Sequence, residues 1–532
     1  MTKERLYLFD TTLRDGAQTS GVDFTLEDKI AVAAMLDKLG VDYVEGGYPG
    51  ANPTDTAFFQ GKRTSRAKFT AFGMTKRAGV SLSNDSGLRV LLDAEADAIC
   101  FVGKTWDYQV RVALQTTEAE NLDGIRQSVT AARQAGREVL LDCEHFFDGY
   151  KANPQYALAC AMATYESGAR WVVLCDTNGG TMPEEIEAIV REVAQSIPGD
   201  HLGIHAHDDT EQAVANSLAA VRAGVRHIQG TLNGIGERCG NANLTSIIPT
   251  LLLKPAYADR FQTGVTAEGL ANLTALSHRF DELVNRAPNR QAAYVGASAF
   301  ATKAGIHASA LARDPKTYEH VSPETVGNRR HVLVSDQGGK ANLIAELSRM
   351  GLTVAREDQR LDTLLREVKE RESRGYAYEG AAASFELLAR RLLGGVPAYF
   401  AVEGFHVTTE QRHNALGVLV SVSEAVVKVV VGNERLLNVG EGNGPINALD
   451  QALRKDLGAY RDAIADLALI DYKVRILNGG TEAVTRVLIE STDASGDSWF
   501  TVGVSENIVD ASFEALNDAI VYKLLRAGAK AA

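Results

Sequence analysis

The sequence predicts an α/β chain: a (β/α)8 barrel, then a helical linker region, then a C-terminal α+β domain with an internal duplication. Three observations predict it. Eight short apolar runs ending in polar or Gly residues precede about residue 250, amphipathic helical stretches lie between them, and from about residue 396 the texture changes to period-2 strands. Parallel barrel strands are buried on both faces, so they read as nearly continuous apolar runs. The expected boundaries are 1–260 for the barrel, 261–395 for the linker and 396–532 for the duplicated domain.

The strands are read at LYLFDTT (6–12), YVEGGYP (43–49), FTAFGM (69–74), AICFVG (98–103), VLLDCEHFF (139–147), WVVLCDTN (171–178), LGIHAHDD (202–209) and HIQGTLNG (227–234). Helices between them include LEDKIAVAAMLDKLG and EEIEAIVREVAQSI, the latter announced by Thr181 and Pro183 and by Glu184 and Glu185 in its first turn. A doubly wound sheet would place a phosphate loop after its first strand, and no GxGxxG or GxxxxGK stands there.

Residues 260 to about 395 read as mostly helical, including EGLANLTALSHRFDELVN and the charged EDQRLDTLLREVKERESR, whose charges suit a solvated helix face. Beyond them AVVKVVVG and VTRVLIES are rich in β-branched residues at strand spacing. The region repeats itself. Each half has strands, a Val-Gly step (Val439-Gly440; Val502-Gly503) and a helix, over about 396–527. The cluster Gly440, Gly442, Gly444 has the wrong spacing for a phosphate loop and no counterpart in the other half, so it reads as a structural turn.

Composition excludes several classes. At 532 residues, 45% hydrophobic and 23% charged, the chain has the balance of a globular enzyme rather than a disordered or fibrous one. Its 55 Lys and Arg against 68 Asp and Glu give a net charge of −13 with no long basic block, which argues against nucleic acid or an anionic membrane as partner. Five scattered cysteines (Cys100, Cys143, Cys160, Cys175, Cys239) without a CxxC argue against a disulfide framework or zinc ribbon. The start enters a strand-like run directly and no apolar window is long enough to span a bilayer, so a cytoplasmic location is expected.

A barrel builds its active site at the carboxyl ends of its strands, and polar residues converge there. Arg14 and Asp15 follow strand 1, Glu45 lies on strand 2, Asp142 and Glu144 on strand 5, Asp176, Thr177 and Asn178 at the end of strand 6, and His205 and His207 on strand 7. Strand 8 leads through Thr231 into GIGERCGNAN. His205 and His207, two apart in a strand, point to one face and form a clamp that Asp15 completes, with the Asn241 carbonyl as fourth ligand. Such a set suits Zn, Mn, Co or Mg acting as a Lewis acid. Asp142 and Glu144 share a face by the same period. Glu144 is either one of a salt-bridged pair or a general base, and Arg14 is either a structural partner of Glu45 or a forked donor to an oxyanion.

DTTLRDGAQ (10–18), HAHDD (205–209) and GIGERCGNAN (234–243), in that order, resemble the signatures of the metal-dependent Claisen-condensing barrel enzymes, the family of 2-isopropylmalate and homocitrate synthases. The repeated C-terminal module resembles that family's leucine- or isoleucine-sensing domain. EHFFDGYK (144–151), AGIHASA (304–310), PKTYEH (315–320) and VGN…VLVSDQGGKAN (326–342) resemble the branch that takes pyruvate. The resemblance implies acetyl-CoA and pyruvate as substrates, isoleucine as a feedback inhibitor and a homodimer. It implies metal ligands at Asp15, His205 and His207, Arg14 polarising the ketone, Glu144 in the proton chemistry and Thr177 on the oxo-acid carboxylate, with Asp142 and Glu45 beside the substrate. His307 and Tyr318 match a His and a Tyr that the family delivers from the partner subunit; His307 read alone is a surface or core histidine. The isopropylmalate branch follows that His with an acidic turn, whereas Ala308, Ser309 and Ala310 follow it here. The alternatives are the 2-isopropylmalate and homocitrate branches, an acyl-CoA lyase on the same barrel, for which the duplicated module has no use, and a non-catalytic amino-acid sensor, against which all the proposed metal ligands stand intact.

Overall fold

The computed structural model describes residues 3–61, 63–302, 305–311, 313–332, 340–413, 416–477 and 483–532. Ala304 of AGIHASA and residues 333–339 of VLVSDQGGKAN lie outside the described residues. The chain divides into two compact units, residues 1–300 with 320–330 and residues 301–319 with 331–532.

The first unit is a closed barrel of eight parallel strands, β1 (Tyr7–Asp10), β2 (Tyr43–Gly47), β3 (Lys68–Met74), β4 (Ala98–Lys104), β5 (Glu138–Glu144), β6 (Trp171–Asp176), β7 (Leu202–Ala206) and β8 (His227–Gly230). Tyr7 lies opposite His227, which closes the ring. All eight expected strands are present, and every residue of β6 is buried, the two-sided burial that made the run continuous. Phe9, Cys100, Leu140, Trp171 and Val173 pack together inside the ring. There the Trp171 indole donates to the Tyr43 hydroxyl (2.9 Å), which donates to Glu138 (2.6 Å). A second apolar layer, among it Leu36, Phe69, Val129 and Ile186, joins strands to helices. Each such side chain contributes about 1.5–3 kcal/mol by leaving water.

The helix Leu26–Leu39 starts at a capping box, Thr25 with Asp28, and stops at Gly40. Gly40 has φ +99°, and a Cβ there would meet Gly264 O at 2.5 Å, so glycine is required. In Pro183–Val193 the Glu185 carboxylate accepts from the Met182 N–H (2.9 Å).

The second unit contains the repeat. β9 (Ala401–His413), β10 (Leu419–Val431) and β11 (Glu434–Gly442) form one antiparallel sheet, and β12 (Ala468–Ile476), β13 (Thr485–Thr492) and β14 (Ser498–Ser505) another. Helices Pro445–Lys455 and Ile508–Arg526 follow them. The Val-Gly steps have one cause. A Cβ on Gly440 would strike Ala452 N at 2.5 Å, and one on Gly503 would strike Ala511 O at 2.0 Å, so each glycine lets its helix lie directly on its sheet. Gly440 and Gly442 lie inside β11 rather than in the structural turn expected, and Gly442 makes the same close approach to Ala448. The charged stretch forms the helix Gln359–Ser373, which buries Leu361, Leu364 and Val368.

Among the described residues no helix is long and apolar enough to cross a membrane. The five cysteines are free, four of them buried.

Candidate active site

The chain leaves β1 earlier than expected, and that early exit places Arg14 and Asp15. The Asp10 carboxylate accepts from both the backbone N–H and the hydroxyl of Thr12 (2.9 Å each), ending the strand two residues short of the expected boundary. Thr11 O then accepts from the N–H groups of Arg14 and Asp15 (3.2 and 2.8 Å). The turn holds both side chains over the mouth of the ring.

Arg14 is enclosed by acids. Its Nε donates to Glu45 (2.8 Å), its Nη1 bonds Asp15, Asp142 lies 3.8 Å from Nη2, and its guanidinium sits 3.9 Å from the Phe72 ring centre. Burial opposes its charge, yet Asp15, Glu45 and Asp142 outweigh that and raise its pKa above the ordinary value. Burial pushes the Glu45 carboxyl up to about 7, against the pull of Arg14, and also raises Asp142. Asp15 moves the other way: burial is overcome by Arg14, His205 and His207, which hold it below the usual range.

His205 and His207 face each other as their spacing predicts, with Nε2 atoms 3.1 Å apart. Asp15 Oδ2 lies 3.3 Å from His205 Nε2, and the three ligand atoms lie within 4.8 Å of one another. Burial, with His205 beside it, pushes the His207 imidazolium down to about 3, so the ring is neutral near pH 7. His207 stands just past β7, in a bridge with Asn241. Asn241 Nδ2 donates to Asp15 (3.0 Å), while its buried Oδ1 has no partner among the described residues. A half-turn of the amide would aim that orphaned oxygen at the histidines. Two imidazole nitrogens, a depressed carboxylate and an unpartnered carbonyl fit a divalent cation.

A hydrogen-bond chain orders these rings. Arg238 donates to His207 Nδ1 (3.0 Å), and His205 Nδ1 bonds Gln229 Oε1 (2.7 Å), whose amide nitrogen donates to Asp142 (2.8 Å). A cation held by both Nε2 atoms needs the His207 proton on Nδ1, which requires Arg238 to turn away.

A cavity of about 270 Å³ at this mouth is lined by Thr177, Glu144, Lys104, Phe72 and Val102 as well as Asp15, His205 and His207. Thr177 Oγ1 accepts from the His145 N–H (2.8 Å), which leaves its hydroxyl hydrogen for a ligand. Glu144 ends β5 and is paired with Lys104 Nζ (2.5 Å). Thus Arg14, Asp15, Glu45, Asp142, Glu144, Thr177, His205, His207 and Asn241 meet at one barrel mouth. His307 and Tyr318 belong to the second unit, where their rings lie 4.3 Å apart and Tyr318 is half exposed.

Three lining or supporting residues escaped the sequence reading. Lys104 ends β4 one residue beyond the expected strand, Gln229 lies on β8 two residues before Thr231, and Arg238 is inside the quoted GIGERCGNAN. Strand ends and period 2, applied to all eight strands, point to the first two.

The HMGL-like family model matches residues 5–276, the model "Homocitrate synthase post-HMGL domain-like" matches 294–375, and the "LeuA allosteric (dimerisation) domain" matches 379–524. The chain is 48% identical over 528 residues to the (R)-citramalate synthase of Aquifex aeolicus, covering 98% of each chain. It is 49% identical over 522 residues to that of Geobacter sulfurreducens, covering 97% of each. It is 47% identical over 533 residues to that of Streptomyces coelicolor, covering 99% of this chain and 98% of the relative.

Proposed function

We infer the reaction from the premise that this chain belongs to the HMGL-like family and, within it, to the (R)-citramalate synthases. It condenses acetyl-CoA with pyruvate and hydrolyses the thioester, giving (R)-citramalate and CoA, a step that leads toward isoleucine. Near-full-length identity to several enzymes of that one specificity carries this reading over the 2-isopropylmalate, homocitrate and lyase alternatives.

The chemical difficulty is the weak acidity of the thioester methyl group. Asp15, His205 and His207, with Asn241, would hold the divalent metal that HMGL-like enzymes use, and when bound it supplies Lewis-acid polarisation of the oxo-acid ketone. Arg14, kept protonated by Asp15, Glu45 and Asp142, donates to the ketone oxygen as negative charge grows there. Thr177 donates its free hydroxyl hydrogen to the pyruvate carboxylate. Glu144 takes the methyl proton, and the carbanion so formed attacks the ketone carbon. Phe72 and Val102 leave a small cavity, which suits a methyl-bearing oxo acid.

His307 and Tyr318 complete the site of a second subunit, and residues 396–527 form the isoleucine-responsive, dimerising module. The match of 379–524 to an allosteric dimerisation domain supports that assignment. Free buried thiols suit a reducing cytoplasm.

Purified protein with acetyl-CoA, a divalent metal and a panel of 2-oxo acids, followed by thiol release, tests the reaction. Pyruvate should have the highest kcat/KM, by about 10-fold or more over 2-oxoisovalerate. A higher kcat/KM for 2-oxoisovalerate would replace this reading with isopropylmalate chemistry.

A further inference from the structure

Three cations line the cavity: Arg14, Arg238 and Lys104. Two have other places in the site. Arg14, held by its acids, is the donor proposed for the ketone oxygen, and Arg238 is anchored on both oxygens of Asp209 (2.7 and 2.8 Å) beside His207. Lys104 differs: among the described residues its ammonium has one polar contact, Glu144 Oε2 at 2.5 Å. An ammonium has three hydrogens to donate, so two remain for a ligand.

The backbone leaves Lys104 little choice of position. Lys104 and Glu144 are register partners at the carboxyl ends of β4 and β5. Thr105 locks the pair, since its N–H and its hydroxyl both donate to Glu144 O (3.1 and 2.8 Å), and the Asn121 amide donates to Lys104 O (2.8 Å). The side chain is mostly buried, so a charge there faces the cavity rather than bulk water.

A base that removes a thioester methyl proton brings the thioester oxygen close as well, because that oxygen is only two bonds from the methyl carbon. We propose that Lys104 is a catalytic residue that donates a hydrogen bond to the thioester oxygen of acetyl-CoA while the neighbouring carboxylate takes the methyl proton. The step balances. The C–H bond breaks, its proton goes to Glu144, and its electron pair forms the C=C bond of the enolate as the carbonyl π pair moves onto oxygen, where the ammonium of Lys104 meets the new charge. As the C–C bond to the ketone carbon forms, that pair returns and the thioester carbonyl is restored. Lys104 stays protonated throughout. A donor aimed at charge that develops in the transition state lowers the barrier more than it tightens substrate binding.

The inference rests on Glu144 as the base, and the experiment separates the two. Lys104→Met, Lys104→Arg and Glu144→Gln are assayed in the metal-loaded full-length enzyme across pH, with circular dichroism, metal content and pyruvate KM as checks on the fold. Lys104→Met should lower kcat about 100-fold at every pH, with pyruvate KM within about twofold of wild type, and Lys104→Arg should recover part of the loss. If kcat of Lys104→Met returns to the wild-type plateau at higher pH, Lys104 acts only by holding Glu144 charged, and the proposal is overturned. A plateau within about threefold of wild type overturns it equally. Should the Met variant not fold, Lys104→Gln replaces it with the same expected loss of about 100-fold in kcat at unchanged pyruvate KM, and no recovery of kcat in Lys104→Arg above that of the folded neutral variant counts against the proposal. Wild-type turnover in Glu144→Gln would instead defeat the base assignment, whatever Lys104 does.

Discussion

Lys29 is a buried ammonium, 3% exposed, on the helix Leu26–Leu39, and replacing it should unfasten the barrel next to the catalytic turn. Its Nζ donates to Leu13 O (3.0 Å), to Gly46 O (2.8 Å) and to Asp55. Leu13 precedes Arg14, and Gly46 follows Glu45. Lys29→Met removes a charge-assisted bond worth about 1.5–3 kcal/mol and orphans two carbonyls at about 1–3 kcal/mol each. Against that, the variant no longer desolvates an ammonium, and burial already lowers the Lys29 pKa despite Asp55. The net expectation is about 3–5 kcal/mol, the usual cost of breaking a buried pair from one side. Urea unfolding followed through Trp171, which stands inside the barrel, reads it. The Asp55→Asn single variant should also be destabilised, and the double variant should lose less than the sum of the two, since each single change strands the other partner. A loss below about 1 kcal/mol in Lys29→Met, or strict additivity, would refute the reasoning.

His207→Ala should fold normally but lose bound metal and activity together; unchanged metal content by elemental analysis ends the ligand assignment. Glu144→Gln should lower kcat about 100-fold or more with little change in pyruvate KM, because the lost interaction is made in the transition state; wild-type turnover would move the base elsewhere, Asp142 first. Burial raises Asp10 from 3.8 to about 7, so the folded chain holds that proton where the unfolded chain has released it. The stability this proton provides is fully present below about pH 4 and is lost as pH rises through about 7, by a few kcal/mol at about 1.4 kcal/mol per pH unit. Asp10→Asn should flatten that part of the stability profile; an unchanged slope between about pH 4 and 8 contradicts it. Mixing His307→Ala with Glu144→Gln chains should restore part of the activity if a site is completed by its neighbour, and no restoration after verified subunit exchange would mean that each chain completes its own.

The barrel was legible because burial on both faces leaves its strands uniformly apolar, as in the fully buried β6. Boundaries were less legible, because they depend on which polar side chain captures the backbone. Asp10 ends β1 by bonding Thr12, a local competition that strand periodicity does not register. The same competition divides EGLANLTALSHRFDELVN. It reads as one helical stretch, yet it forms Ala267–Ala271 and Leu273–Leu283, with Asn272 at φ −96°, ψ 0° between them and its amide bonded to Glu268 O (3.0 Å). The duplicated module was legible for the opposite reason: close packing of helix on sheet demands glycine at Gly440 and Gly503, so the geometry is written into residue identity twice.

In the site, period 2 was enough for His205 and His207, since two residues on one strand must share a face whatever the rest of the chain does. It was not enough for Glu144. Its neighbour Lys104 comes from another strand 40 positions earlier, and only the register between β4 and β5 joins them. Sequence order hides such a pair because register depends on how the whole ring closes. It follows that a carboxylate at the end of a barrel strand has its chemistry set by the residue opposite on the next strand. The sequence left Glu144 as either one of a salt-bridged pair or a general base, without naming a cation; the register supplies Lys104 as its partner. That pair stands at the edge of a cavity lined also by Arg14 and the two histidines, so the carboxylate proposed as base and the groups proposed to bind the ketone face one space.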